Sequence, residues 1–519
     1  MGERLANAIR LLPEYLLQHV LLSAAALILG MLLAIPLTIL AVRRRRAGSW
    51  VLAATSLVQT VPGLALLALF YPIFLGLSRL SQTLFGVGVP ALGFLPSVAA
   101  LTLYSMLPMV RNGVAAFTNL DPEVIDAANA VGMTARQRFF RVEVPMAAPV
   151  VMAGIRTAAV WTIGAATLST SVGQTSLGNY IFSGLQTQDW TSVLFGCIAA
   201  AALAFAVDQI LGLIEIGLSR RNNRLTYFGL TTFAIALGGA IAWSGEMRAP
   251  GYTVGAKNFS EQFILAELIS QRLISAGATT QLRTDLGSAV AFRALAGNEI
   301  DVYVDYTGTL WLNVLGRRDL ISGEAMQKEL KNLLARNYGV LLLGPLGFEN
   351  AYVLAMRREQ AAALHITGIG DLARYARRLT LGADLEFLSR PDWTMIKNTY
   401  GLQFGATREF NPTFMYKAIE DGTVDVISAF SSDGRLAAEN LLTLADPQHA
   451  VPSYDAVILL SPQRSQDGLL IKALAPLLGH ISLEKMRDAN LMVDRDDGKA
   501  TPLQAAQFLA RTIDQPKSQ

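Results

Sequence analysis

Six runs of about 20 or more apolar residues crowd into the first 246 positions of a 519-residue chain, and nothing comparable follows them. In hydrocarbon a backbone must satisfy its own hydrogen bonds, so runs of this length and number fold as a bundle of spanning helices or not at all. They cover about 16–42, 50–77, 95–117, 147–171, 192–218 and 226–246, of which the second and fifth are long enough to tilt. Charged residues are sparse before about position 248 and ordinary afterwards. The overall figures, 52% hydrophobic and 16% charged, therefore average two different modules. A net charge of +3 gives no reason to expect a nucleic-acid partner.

Basic residues set the orientation of the first module. Arg43 to Arg46, the segment 118–146, and the cluster Arg220, Arg221 and Arg224 all fall on one side if the N-terminus starts outside. That side is the cytoplasm, and the sixth run then carries everything after about residue 247 to the outer face. A secretory signal peptide over 1–40 does not fit, because the apolar run is too long and the basic run follows it. Arg111 sits near an inner helix end and reads as a residue reaching for the interface. Arg156 and Asp208 fall at similar depths in the fourth and fifth runs. Two readings stay open: a pair inside the bundle, or an arginine reaching for the inner interface beside an aspartate in water. Segment 172–190 is too polar to span and too apolar for a free loop, so a short interfacial helix and an ordinary outer loop both remain.

Segment 121–145, DPEVIDAANAVGMTARQRFFRVEVP, separates the third and fourth runs. Arg136, Arg138 and Arg141 exclude it from hydrocarbon, and it is helix-prone around a central Gly132. It resembles the EAA coupling loop of importer-type ABC permeases. Asp126-Ala127-Ala128 stands where the family has Glu-Ala-Ala, Gly132 where it has its glycine, and Val144-Pro145 where it closes. The resemblance covers about 15–218. It implies a type I ABC importer permease, an all-α polytopic membrane domain, with a separate cytoplasmic ABC ATPase docked on this loop.

After a linker at SGEMRAPGY, strand-like and helical runs alternate, as in an α/β domain with parallel strands. Strands are expected at Tyr252–Gly255, Ile300–Val304, Leu379–Gly382 and Val424–Ser428, and helices at Glu261–Gly277, Glu324–Tyr338 and Thr413–Asp421. Asn258 is placed to cap the first helix, with Glu261 reaching back. The segments GAKNFSEQ (255–262), DVYVDYTGT (301–309), FENAYVLAM (348–356), FLSRPDW (387–393) and DVISAFSSDGR (425–435) are similar, in that order, to the signatures of osmoprotectant-binding proteins. That resemblance, over 252–460, implies a two-lobed α/β periplasmic-binding-protein-like domain of type II, taking glycine betaine, choline or carnitine.

A trimethylammonium group has no N–H to donate, so ring faces must recognise it, each contributing about 0.5–2 kcal/mol when desolvated. Tyr306, Tyr352, Phe430 and Tyr454 lie on or beside the motifs and are the candidate cage. Phe430 stands where relatives commonly have Tyr, which keeps a ring face and loses a phenol. Asp305, Asn350 and Gln262 are candidate polar contacts, and Arg390 either pairs a ligand carboxylate or holds a loop. Each aromatic also has a plain reading as core, and for Trp393 and Tyr416 that reading comes first.

The expected organisation is a permease domain over 1–225, a sixth transmembrane helix and linker over 226–251, and an extracytoplasmic substrate-binding domain over 252–519. No G-x-x-x-x-G-K-[ST] motif occurs, the four His are scattered and Cys197 is alone, so neither catalysis nor a cofactor or metal is expected. Six spans make half a pathway, which implies a homodimer in membrane lipid, moving a small cationic or zwitterionic solute. Alternatives are an importer of the same architecture for ergothioneine, as in fused permease–receptor chains of that branch, and a membrane-anchored solute sensor.

Overall fold

In a computed structural model, residues 2–86, 88–246, 251–410, 412–495 and 497–514 are described. The chain divides into two compact units, Met1–Phe182 with Thr191–Ala249, and Ser183–Trp190 with Pro250–Gln519. Residues 247–250 of the expected linker lie outside the described residues.

The first unit is helical: α1 (Gly2–Arg43), α2 (Arg45–Thr60), α3 (Gly63–Phe85), α4 (Phe94–Thr118), α5 (Pro122–Ala130), α6 (Ala135–Arg138), α7 (Val144–Ala166), α8 (Gly178–Gln186), α9 (Trp190–Ser219) and α10 (Asn223–Glu246). Among the described residues, six of its helices are long and apolar enough to cross a membrane. The second is not the expected 50–77. Apolar composition runs straight through Val61-Pro62, but proline forces the residue before it out of the helical region, and Val61 is extended at φ −73° and ψ 126°. The chain therefore breaks there, leaving a 16-residue helix and a separate span of 23 residues.

Helix α4 is the most buried span and packs against both α1 and α7. Small residues allow the approach: a Cβ on Gly30 would lie 2.2 Å from Ser105 Oγ, and one on Gly154 would lie 2.7 Å from Asn112 Cβ. Within 172–190 the chain forms α8, a short helix rather than a plain loop. Tyr180 anchors it, donating to Ala8 O at 2.6 Å between the rings of Tyr15 and Phe195. The open question of Arg156 also resolves, because it pairs with Asp208 through two bonds of 2.5 and 2.6 Å.

The second unit contains two five-stranded sheets. Their strands are β1 (Tyr252–Lys257), β2 (Thr280–Leu286), β3 (Val302–Tyr306), β4 (Leu341–Glu349), β5 (Tyr352–Arg357), β6 (Thr380–Ala383), β7 (Ala406–Glu409), β8 (Val426–Phe430), β9 (Leu441–Thr443) and β10 (Asp455–Leu460). Lobe one has the order β2-β1-β3-β10-β4, and lobe two β7-β6-β8-β5-β9. Parallel pairing holds for β1 with β2 and β3, and for β6 with β7 and β8. It fails for β10 and β5, which run antiparallel to both neighbours. These two are the strands that enter each lobe from the other, so they arrive pointing the opposite way. Each lobe has its own apolar core, and the chain crosses between them at 350–351 and again before β10.

Candidate functional site

The site in the second unit is built at strand ends. Strand β3 is buried throughout, and its alternation sends Tyr303 and Asp305 to one face and Tyr306 to the other. Tyr303 Oη donates to Asp305 Oδ2 at 2.5 Å, and the ammonium of Lys257, at the end of β1, pairs with the other carboxylate oxygen. That ammonium lies 5.2 Å from the Tyr306 ring centroid. In lobe two, Tyr352 and Phe430 are directly opposite in the β5–β8 register, which brings their ring centroids to 4.7 Å. Phe259 of lobe one stacks on Phe430 at 5.7 Å and 13° and also faces Tyr306 at 6.3 Å.

These rings border a cavity of about 300 Å³ between the lobes. Of the residues expected from sequence, Tyr306, Asn350, Tyr352, Arg390, Phe430 and Tyr454 line it, while Gln262 and Asp305 do not. Their polar atoms are occupied behind the wall. Gln262 donates to Tyr306 Oη at 2.9 Å and accepts from Lys257 N, and Asp305 is saturated by Lys257, Tyr303 and the Tyr306 amide. Trp393 packs against Phe387 and Phe404, and Tyr416 lies under Arg435.

Arg390 lies over the Tyr352 ring at 5.1 Å, and its donors go to Asp392 (3.2 Å), Glu386 (3.0 Å) and Thr309 (3.0 Å). Burial works against this charge, but its neighbours Tyr352, Tyr454, Asp392 and Glu386 outweigh burial and raise its pKa further. Tyr454 Oη bonds Asp392, and Ser288 Oγ bonds Glu386 at 3.0 Å. Arg390, Asp392 and Glu386 belong to lobe two, and Thr309, Tyr454 and Ser288 to lobe one, so this cluster fastens the lobes together.

Glu261 departs from its expected role. The first helix of the unit, α11 (Ser260–Ser275), starts after Phe259 with no side-chain cap, and Asn258 instead reaches the cavity. Glu261 is buried and accepts from Tyr306 Oη at 2.6 Å, Asn350 Nδ2 at 2.9 Å and Asn490 Nδ2 at 3.0 Å. Burial pushes its carboxyl above the ordinary range, against these donors and Ser432. Burial likewise raises Asp384, a cavity-lining group that sequence reasoning missed together with Phe259 and Phe410. Phe259 was legible in GAKNFSEQ as an aromatic between two motif positions already singled out.

The segment 121–145 folds as a compact turn. Asp121 caps α5 by accepting from Glu123 N at 2.9 Å, and Thr134 and Gln137 form a capping box on α6. Between them Gly132 takes φ +79°, a left-handed conformation that a β-branched side chain adopts only under strain. Arg138 ties the turn to Asn129 and Glu143 at 2.7 Å each, and Phe139 stacks on Phe117 of α4 at 5.8 Å. Ala128 is buried, whereas Asp126, Ala127 and Pro145 are exposed. Val131 and Phe140, which the motif does not single out, are 73% and 61% exposed and give the segment an apolar outer surface. Gly132→Val is expected to destabilise this turn by about 1–2 kcal/mol, as a lower melting temperature than that of Gly132→Ala or wild type would register.

Comparison with known proteins returns two family matches. Residues 251–511 match the family described as the substrate binding domain of ABC-type glycine betaine transport systems. Residues 26–220 match the binding-protein-dependent transport system inner membrane component. The chain is 27% identical over 466 residues to the ergothioneine transport permease/ergothioneine binding protein of Helicobacter pylori strain G27, covering 86% of this chain and 81% of that one. It is 34% identical to a choline transport system permease of Bacillus subtilis strain 168, covering 38% of this chain and 84% of the relative. It is 36% identical to the osmoprotectant import permease of Salmonella typhimurium strain LT2, covering 40% and 91%. A crystal structure of a glycine betaine/carnitine/choline ABC transporter aligns with 51% of this chain and 100% of its own, at 24% identity and a TM-score of 0.45.

Proposed function

The chain belongs to the binding-protein-dependent ABC importers of the glycine betaine type, a multi-pass membrane permease and its substrate-binding domain in one polypeptide, and we propose that it carries a trimethylammonium solute inward at the expense of ATP hydrolysed by a separate subunit. The observation that carries this reading is the ring-bordered cavity between two lobes of a domain from that family. Rings from both lobes border it, so closure completes a surface that can attract a cation carrying no N–H. Charge supports the same class of head group. Lys257 and Arg390 are the cations at the wall, against Asp384, Glu386, and the paired Asp305 and Asp392 behind it.

In this reading the second unit faces outward, captures solute and closes, with Arg390, Asp392 and Glu386 fastening the lobes. The ATPase docks on 121–145 against the exposed Asp126, Val131 and Phe140, and two copies of the chain complete the pathway. Joining receptor and permease keeps capture at high effective concentration. The solute is glycine betaine, choline or carnitine, or else ergothioneine. The last is favoured by one observation, a relative of that name whose similarity extends over 86% of this chain. A solute sensor has no use for the coupling segment.

The test is calorimetric titration of the chain in lipid nanodiscs against these four compounds, together with uptake into vesicles containing the cognate ATPase. At least one compound should bind saturably and be taken up only with ATP. Phe430→Leu, which keeps an apolar side chain of somewhat smaller volume and removes the ring face, should weaken that binding about tenfold with only a modest fall in melting temperature. Failure of all four compounds to bind, or uptake without nucleotide, contradicts the proposal.

A further inference from the structure

Behind the Phe259–Phe430 pair lies a second, smaller chamber of about 50 Å³, and Phe259, Phe430 and Asn350 line both it and the main cavity. Its chemistry is one-sided. Glu261 draws in the side-chain N–H groups of Asn350 and Asn490 at 2.9 and 3.0 Å, which fixes the orientation of both amides. The two amide oxygens, Asn350 Oδ1 and Asn490 Oδ1, are left buried with no partner, in residues each only 3% exposed. Of the other groups on the wall, Arg435 is committed to Asp433 at 2.7 Å and Ser260 to Asp494 at 2.5 Å, while the Gln186 side chain borders both this chamber and the main cavity. A buried carbonyl without a donor is costly, and native proteins rarely leave one so. Two of them beside one aromatic-lined cavity describe a place for donor groups.

We propose that this chamber is a subsite for the far end of the solute, and that it selects a trimethylammonium compound carrying N–H donors. The inference rests on the ring-bordered cavity holding the methylated end. The Phe259–Phe430 stack is then the divider between an end recognised by ring faces and an end recognised by amide oxygens. Glycine betaine has no donor to offer, and choline and carnitine offer only a hydroxyl. Ergothioneine has ring N–H groups on the end away from its ammonium. A site built to receive hydrogen bonds rejects an analogue that lacks them far more strongly than an apolar pocket does.

The experiment uses the full chain in nanodiscs, titrated with ergothioneine, with glycine betaine, and with an ergothioneine analogue methylated on its ring nitrogens. Wild-type protein is expected to prefer ergothioneine over both by at least about tenfold. Asn490→Ala should bring the ratio of ergothioneine to glycine betaine affinity towards one. The analogue arm needs no mutation and so decides the matter even if the variant folds poorly. If glycine betaine or the methylated analogue binds wild type as tightly as ergothioneine, the chamber holds water and the subsite is overturned, while the function proposed above survives. If no trimethylammonium compound binds, both are overturned.

Discussion

Replacing Arg156 with alanine is expected to abolish uptake and to deplete the assembled transporter from the membrane, the largest effect of any single change in the first unit. Arg156 of α7 bonds Asp208 of α9 through Nε and Nη2 and reaches Glu215, a further two turns along the same helix, at 3.3 Å. Gly212 lies between these two acids, and a Cβ there would stand 3.3 Å from the guanidinium carbon, so the arginine lies flat against α9. Removing it leaves two carboxylates on a spanning helix with no counter-charge. The pair is half-buried, with Arg156 34% and Asp208 23% exposed. The loss therefore falls below the figure of about 3–5 kcal/mol for a fully buried pair broken on one side, yet unpaired carboxylates on a spanning helix remain costly. Asp208→Asn should be milder, because Glu215 still faces the arginine. The measurement is transporter abundance and uptake in membranes for each variant and for the exchange Arg156→Asp with Asp208→Arg. Partial recovery in the exchange identifies a pair that ties α7 to α9; no recovery at all would show that the arginine acts through something other than Asp208.

Local signals were legible where one residue type or one periodicity carries them. Long apolar runs announced the spans, and basic clusters marked the helix ends. Four of the strands were placed to within two residues, as at Ile300–Val304 against β3 (Val302–Tyr306). The break before Pro62 was written in a single proline and hidden by apolar residues on both sides. What could not be read was any arrangement made by distant segments. Glu261 looks like a helix-capping carboxylate because its neighbours are Ser260 and Asn258. It is instead a buried acceptor for Asn350 and Asn490, which lie 89 and 229 positions away. Gln262 and Asp305 sit in motif segments beside true cavity residues, yet strand alternation and the helix face turn them to the back of the wall. Arg390 carried two readings, and its bonds to Asp392, Glu386 and Thr309 favour holding the lobes over receiving a carboxylate.

Glu261→Leu should have the largest effect in the second unit, because a single side chain organises both recognition surfaces. Leucine strands the Tyr306 hydroxyl and two amide N–H groups in a buried place, at about 1–3 kcal/mol for each donor left without a partner. The expected outcome is a lower melting temperature together with loss of measurable solute binding. Glu261→Gln is the more informative change, since it keeps shape and one acceptor but places an NH₂ where the carboxylate received a donor. The least costly response is for Asn350 to turn its amide and offer oxygen to the new donor, because Asn490 Nδ2 is also held by Ser432 O at 2.9 Å. That rotation points an N–H into the small chamber in place of a carbonyl. A ligand with N–H groups then meets a donor and should weaken by about tenfold, whereas glycine betaine, which sends no donor there, should change much less. Parallel titrations of the two variants separate the roles: equal weakening of both ligands by Glu261→Gln would mean the carboxylate merely holds the fold, and selective weakening would mean it sets which way the amides face.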